Sequence, residues 1–424
     1  VSGEPYRTIS LFTGPKPKRL MEFITYTLPN GIRCILKQVK SAVVHCALTV
    51  NTGSRDELPG EYGMAHLVEH TLFKGTQRRK AWQVNCRLEN MGGELNAYTT
   101  KEETVVHATT LRGDYAKAVE LIADIVFRST FPEHEVEKEK NVIFDEINLY
   151  KDSPTDRIYD EFEDRIFDGS SLGHNILGSK ATLRRMHSED IRRFVARTYT
   201  TDQMVFSLIG NLSEKAFRTV ADRWFGGISA SRRAFGRTVH PAPEPFCLSV
   251  GRGTHQVHCM KGKRAYDLKD DRRLPLMLLM NTLGGPSANS LLNVLLREKN
   301  ALSYSVEATY TPFTDSGVAS IYFSCEKENA SRCIELMDRQ LGELAEHVLS
   351  PRRLSVAKRQ FLGQLAISAE NNESYMLGAA KSYLVFGDVD GFGEAKEKIE
   401  ALDGETLRTV AEEIFTGMSA LIYK

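Results

Sequence analysis

Two stretches of this chain recur about 215 residues further on, and a chain that repeats itself in order is expected to fold as two like units. Val119-Glu-Leu-Ile122 returns as Ile334-Glu-Leu-Met337, an offset of 215. Ile191-Arg-Arg-Phe194, Tyr199 and Met204-Val-Phe206 return as Leu407-Arg-Thr-Val410, Phe415 and Ala420-Leu-Ile422, an offset of 216. Each match is short, but the shared offset argues for tandem homologous domains. The length of 424 residues agrees, being too great for one ordinary hydrophobic core. The break is expected in Gly226-Gly-Ile-Ser-Ala-Ser-Arg-Arg233 through Pro241-Ala-Pro-Glu-Pro245, which is rich in Gly, Ser, Arg and Pro and has no periodicity. This divides the chain into a first domain at 1–225, a linker at 226–245 and a second domain at 246–424.

The densest chemistry lies in the first half, in His66-Leu-Val-Glu69-His70. From Gly63 to Lys74 the apolar residues Met64, Leu67, Val68 and Leu72 recur at helical spacing, so a helix with one buried side is predicted. His66 and His70, four apart, then stack one turn above the other and can share a small cation. Glu69 flanks the same pair. Neutral imidazole is a good Zn²⁺ ligand, and a carboxylate beside the metal can take a proton from water. The order is the reverse of His-Glu-x-x-His, with the Glu on the other flank.

Catalytic zinc needs a third protein ligand. A second helix is predicted from Glu133 to Tyr150: Pro132 suits its start, and the acidic first turn complements the helix dipole. Val136, Ile143, Ile147 and Tyr150 form its apolar stripe, while Glu135, Glu139, Val142 and Glu146 form another. Such a charged stripe is ordinarily just solvated, and periodicity alone does not choose among Glu139, Asp145 and Glu146.

His66-x-x-Glu69-His70 followed, after residues 71–145, by Glu146 resembles the signature of the pitrilysin, insulin-degrading enzyme and mitochondrial processing peptidase family. Gly63-Met-Ala-His-Leu, Phe73-Lys-Gly-Thr76 and Gly92-Gly-Glu-Leu-Asn-Ala-Tyr-Thr99 fit it too. The resemblance implies an α+β fold of two tandem homologous domains, each a mostly antiparallel sheet packed with helices. It implies His66, His70 and Glu146 as zinc ligands, Glu69 as general base and Glu139 as an assisting glutamate. Glu94–Thr99 and Thr104–Thr109 read as two strands rich in β-branched and aromatic residues around a Lys-Glu-Glu turn. In the family the first lies at a sheet edge beside the metal, where a peptide can add as a further strand. That makes Asn96, Ala97 and Tyr98 substrate-contact candidates, with an ordinary core role equally open for Tyr98.

The second half has no His-x-x-Glu-His; near the expected position stands Asn281-Thr-Leu-Gly-Gly-Pro-Ser-Ala-Asn-Ser290, without an imidazole. One zinc per chain is therefore expected. Leu296-Arg297 through Tyr304-Ser-Val306 resembles the family's Arg and Tyr pair, spaced seven apart, which reaches the active site from the other half of the enzyme. The implied roles are oxyanion stabilisation by Tyr304 and a grip on substrate backbone or carboxylate by Arg297. Fused relatives have four such domains and this chain two. A homodimer is therefore expected, in which Arg297 and Tyr304 of one chain serve the zinc of the other.

Lys plus Arg equals Asp plus Glu at 55 each, which gives no reason to expect nucleic acid or an anionic membrane as partner. Hydrophobic content of 42% and charged content of 26% are those of an ordinary globular protein, and no apolar run approaches the ~18 residues of a spanning helix. Val1-Ser-Gly-Glu-Pro has neither an initiator Met nor a hydrophobic leader. The seven dispersed cysteines include no C-x-x-C pair, so reduced core thiols and a cytoplasmic location are expected, with a mitochondrial matrix equally compatible. The composite expectation is a zinc endopeptidase for short or unfolded peptides. Its rivals are the catalytic subunit of a targeting-peptide processing peptidase with a different partner chain, and an inactive scaffold. Scaffold relatives usually lose zinc residues, and none is lost here.

Overall fold

The computed structural model describes residues 23–238 and 240–424. Strands β1 (Ile24–Thr27), β2 (Arg33–Gln38), β3 (Val43–Val50), β4 (Glu94–Thr99), β5 (Thr104–Leu111) and β6 (Met204–Gly210) form one sheet in the order β1-β2-β6-β3-β5-β4. Strands β7 (Cys247–Val250), β8 (Val257–Ala265), β9 (Ser303–Pro312), β10 (Gly317–Cys325) and β11 (Ser419–Tyr423) form another in the order β7-β11-β8-β10-β9. Without β1 the two orders coincide strand for strand. Each sheet has one parallel pair in the same place, β2–β6 and β7–β11, and is otherwise antiparallel. The fold is α+β and duplicated, as the repeats require.

The first half carries helices α1 (Met64–Leu72), α2 (Ala81–Glu89), α3 (Tyr115–Arg128), α4 (Glu133–Asp152), α5 (Pro154–Ile166), α6 (Lys180–Leu183), α7 (Ser188–Thr198) and α8 (Glu214–Phe225). The second carries α9 (Arg273–Gly284), α10 (Ala330–Glu346), α11 (Pro351–Ala369), α12 (Asn372–Phe386), α13 (Phe392–Glu400) and α14 (Gly404–Phe415). None of the described helices is long and apolar enough to cross a membrane.

Strand periodicity of two puts alternate residues on opposite faces of a sheet, and here both faces are apolar. Met204, Phe206 and Leu208 of β6 join the main core of the first half with α1, α3 and α8. Val205 and Ile209, in alternation with them, face the other way and are covered by α12 of the second half through Met376, Ala379, Ala380, Tyr383 and Leu384. The second sheet is treated reciprocally. Ile158, Phe162 and Ile166 of α5 pack on Met260, Val318, Tyr322, Leu421 and Tyr423. At about 1.5–3 kcal/mol per fully buried large apolar side chain, the exchanged helices contribute stability that neither half would have alone.

Charge reinforces this joint. Arg55, with 1% of its side chain exposed, meets Glu102 at 2.5 Å and Asp315 at 2.8 Å. Glu102 also accepts from the Thr314 backbone N–H at 2.9 Å and hydroxyl at 2.6 Å. Arg237 adds contacts of 2.8 Å to Asp56 and 3.3 Å to Glu102. The network thus ties the β4–β5 turn to the β9–β10 turn. The Asp315 and Glu102 partners hold the Arg55 guanidinium protonated against the pull of burial.

One expectation needs amendment. Tyr150 leaves the buried stripe of α4: Val136, Ile143 and Ile147 are buried, but Tyr150 is 40% exposed. In the second half, α9 takes in the start of the Asn281–Ser290 segment and carries no imidazole. Its Leu276, Leu279, Met280 and Leu283 are buried in the second core.

Breaking the buried network from one side leaves Glu102 and Asp315 without their cation. Arg55→Ala is therefore expected to cost about 3–5 kcal/mol, against less than about 1 kcal/mol for Arg332→Ala on the surface, read by chemical denaturation.

Candidate metal centre

The site is built where α1 faces α4. Helix α1 begins at Gly63, whose φ of 100° is left-handed, and Gly178 (φ 66°) crosses directly beside it. A Cβ at Gly63 would lie 2.7 Å from the Leu177 carbonyl oxygen, and one at Gly178 would run into the Tyr62 carbonyl. Two glycines therefore let the 175–178 segment close over the start of the helix. The free N–H groups of the first turn are met by a residue from outside it. Glu57, almost wholly buried, accepts from Gly63 N at 3.0 Å and Ala65 N at 2.8 Å, and its Oε2 lies 2.8 Å from His174 Nε2. Burial raises the Glu57 pKa while these bonds oppose the rise. His174 is itself stacked on Tyr62, ring centres 4.1 Å apart.

Met64, Leu67, Val68 and Leu72 are buried as the helical spacing requires. On the facing side His66 and His70 lie with ring centres 4.5 Å apart. Glu146 Oε2 of α4 is 3.8 Å from His66 Nε2 and 3.8 Å from His70 Nε2. One ligand atom from each of the three residues falls within 4.8 Å of the others. For a tetrahedral ion with bonds of about 2.0–2.1 Å, ligand atoms stand about 3.4 Å apart, so this donor set fits a zinc-sized cation.

The protonation pattern suits the same role. His70 Nδ1 lies 3.1 Å from Glu139 Oε2, and a carboxylate can only accept, so Nδ1 carries the proton and Nε2 offers its lone pair. Glu139, 8% exposed, is held in turn by Lys74 at 2.8 Å. His66 is kept neutral: burial, then the neighbouring His70, pushes its pKa down to about 3. Its Nδ1 is buried and finds no partner among the described residues. One donor atom from each of His66, His70 and Glu146 thus converges on one point, an arrangement that a cation satisfies and apolar filling would not.

Glu69, next along α1, projects beside this point and is held by the backbone and side chain of Thr99 at the end of β4. Burial raises its pKa; the Thr99 bonds and the His70 charge oppose that, and the Glu146 charge adds to it. His66, Glu69, Glu146, Tyr98, Thr99 and Tyr150 are among the residues lining a cleft of about 280 Å³. Strand β4 is the sheet edge, paired only with β5. Asn96 is exposed there and Ala97 half-buried, while Tyr98 also packs against the cluster of Ala47, Val105, Ile209 and Met376.

Arg297 and Tyr304 are not part of this assembly. Arg297 sits on a π-helical turn, Asn293–Glu298, and Tyr304 is the second residue of β9, the edge strand of the second sheet. Their side chains lie together, the guanidinium 5.7 Å from the ring centre, with Tyr304 85% exposed. They line a separate cleft of about 520 Å³ that shares no residue with the one at His66.

Residues 33–180 match the family described as insulinase (peptidase family M16), and residues 185–361 match the peptidase M16 inactive domain. An uncharacterized zinc protease of Bacillus subtilis is 32% identical over 399 residues, which are 93% of this chain and 96% of that protein. One from Streptomyces coelicolor is 30% identical over 400 residues, covering 92% and 86%. The chain belongs to peptidase family M16. The fold is shared with a protease from Helicobacter pylori (TM-score 0.88, 21% identity, 95% of this chain and 99% of that one). It is shared equally with a peptidase M16 inactive domain from Pseudomonas fluorescens (TM-score 0.88, 19% identity, 95% and 98%).

Among the residues that shape this M16 site, Glu57 and His174 carried no signal in the sequence, Lys74 and Thr99 fell within motifs of the resemblance without a role of their own, and Tyr150 was expected on a buried stripe. Glu57 and His174 act from outside the helix they hold, where no local pattern reveals them. Gly178→Ala places a side chain at a positive φ and against the Tyr62 carbonyl. It is expected to lower stability by about 3 kcal/mol in denaturant unfolding, whereas Gly113→Ala, in open space, should change it by less than about 1 kcal/mol.

Proposed function

We propose that this protein is a zinc-dependent endopeptidase acting on short or unfolded peptides, with one zinc per chain held by His66, His70 and Glu146. The observation that carries the reading is the convergence of one donor atom from each of those three residues, with the Glu69 carboxylate beside them in an open cleft. Membership of family M16 and the zinc-protease relatives support it. The other candidate cluster among the described residues, Glu133, Glu137 and His187, is exposed and lies outside that cleft.

Zinc in such a site supplies Lewis acidity, bringing the pKa of a water toward neutrality and polarising a scissile carbonyl. Glu69 is the proton carrier: it takes the proton of the attacking water and gives it to the leaving amine. Thr99 fixes the carboxylate for this by hydrogen bonding. Glu139 orients His70 and fixes its tautomer, and Lys74 fixes Glu139. A peptide adds as a strand along the free edge of β4 at Asn96 and Ala97, where backbone hydrogen bonds are indifferent to side-chain identity. Tyr98, half-buried in its own cluster, shapes the cleft wall.

Glu69→Gln should keep zinc, because Glu69 is not a ligand, and lose peptide hydrolysis by at least about 100-fold. A zinc-loaded Glu69→Gln protein that still turns over would refute the role. Glu139→Gln should weaken zinc about 10–100-fold in chelator competition while leaving the fold intact.

Because Arg297 and Tyr304 lie in a different cleft, the reading includes a homodimer in which each chain completes the site of the other. The Tyr304 hydroxyl would steady the oxyanion, and Arg297 would hold substrate. Mixing inactive Glu69→Gln with an inactive Arg297→Ala/Tyr304→Phe chain should then restore activity, to about a quarter of wild type for random pairing of equal amounts. No recovery, with exchange of chains verified, would contradict completion between copies. The alternative, a processing peptidase with a different second chain, predicts a wild-type protein that binds zinc and is silent by itself.

A further inference from the structure

The internal repeat allows one place in the fold to be compared in two versions, and the second version is open. In the first half, the α1–α2 connection folds back on α3. Thr76 donates to Asp124 at 2.7 Å, and Arg79 reaches Asp124 at 2.6 Å and Glu120 at 2.8 Å. Asp124 is thereby fully buried. Helix α10 follows α3 at an offset of 215, its lead-in turn Lys327–Asn329 standing for Arg112–Asp114. At that offset Arg339 stands where α3 has Asp124, so the charge is reversed. No arginine folds back upon it: the segment after α9 is Gly285-Pro-Ser-Ala-Asn-Ser290.

What remains is a cleft of about 650 Å³, within the usual range for small-molecule sites. Its floor is apolar, with Leu291, Val294, Leu295, Leu349, Val356 and Ala357. Four cations also line it: Lys299, Arg339, Arg352 and Arg353. All four are exposed, and none of these side chains has a hydrogen bond or ion pair among the described residues. Glu343, the one carboxylate lining the cleft, accepts instead from Gln340 at 3.4 Å. The first turn of the 19-residue helix α11, which carries Arg352 and Arg353, adds the positive end of its dipole.

We infer that this cleft binds a phosphate-bearing small molecule of about nucleotide size. Its phosphoryl oxygens would be taken by Arg339, Arg352, Arg353 and Lys299, and its apolar body would lie on Leu291, Val294 and Leu295. Guanidinium groups suit phosphate oxygens bidentately, and four unpaired cations with one diverted carboxylate select a multiply charged anion over a single carboxylate. The cleft borders the π-helical turn Asn293–Glu298 from the side opposite Arg297: Val294 and Leu295 face the cleft, and Arg297 faces the neighbouring one. A bound anion would therefore brace the turn that positions Arg297.

The test is calorimetric titration of the full chain with ATP, tripolyphosphate and adenosine, beside Arg339→Glu/Arg353→Glu and the control Arg332→Glu. ATP and tripolyphosphate should bind at sub-millimolar concentration, weaken as salt rises and lose at least tenfold in the double variant, while adenosine stays silent and Arg332→Glu binds like wild type. Co-sedimentation with phosphatidic acid vesicles distinguishes the source. Capture of wild type and not of the double variant, with free ATP competing, would place the phosphate on a lipid headgroup. Absence of binding to ATP, tripolyphosphate and vesicles alike would overturn the inference, as would undiminished binding by a double variant whose circular dichroism matches wild type. Neither result depends on peptidase activity or on zinc.

Discussion

Each sheet in this molecule has two apolar faces, and each half supplies enough helix of its own for only one of them. The exchange of α5 and α12 between halves resolves that shortage. It also sets the geometry of everything else. With the halves locked through their sheets, the β4–β5 turn meets the β9–β10 turn, and Arg55 can be buried between Glu102 and Asp315. Directly after Arg55 the chain reaches Glu57, which receives the first turn of α1 and so fixes His66, Glu69 and His70. A joint between domains is thus continuous with the frame of the metal centre.

The two halves show what a metal site demands of a core. In α1, two imidazoles and a carboxylate are held partly away from water beside Glu146, a costly arrangement unless a cation satisfies them. In α9 the core-facing Leu276, Leu279 and Met280 repeat the spacing of Met64, Leu67 and Val68 in α1, but no imidazole stands on the helix. The same topology therefore carries a candidate ligand set in one half and none in the other. The second half displays Arg297 on a π-helical turn and Tyr304 on its edge strand instead.

Local periodicity made much of this legible. Helices α1 and α4, the β4–β5 hairpin and the duplication all left patterns in the sequence, because each buries a regular stripe against one neighbour. The choice between Glu139 and Glu146 was not legible from spacing, since both lie on one stripe of α4. Only the opposing helix separates them, by putting Glu146 at both Nε2 atoms and Glu139 at His70 Nδ1. The apolar stripe of α4 misplaced Tyr150, because the period continues past the point where the neighbouring element ends and the cleft begins. The exchange of α5 and α12, the burial of Arg55 and the reach of Glu57 involve partners far apart in the chain, and no window of sequence contains them.

The central claim is that His66, His70 and Glu146 share one zinc ion. Zinc K-edge absorption spectroscopy of the purified, metal-loaded chain tests it most directly. The account predicts one zinc per chain with about four nitrogen or oxygen neighbours at about 2.0–2.1 Å and the outer-shell signature of two imidazoles, reduced to one in His66→Ala. Sulfur neighbours at about 2.3 Å, or a spectrum unchanged in His66→Ala, would place the metal elsewhere and contradict it.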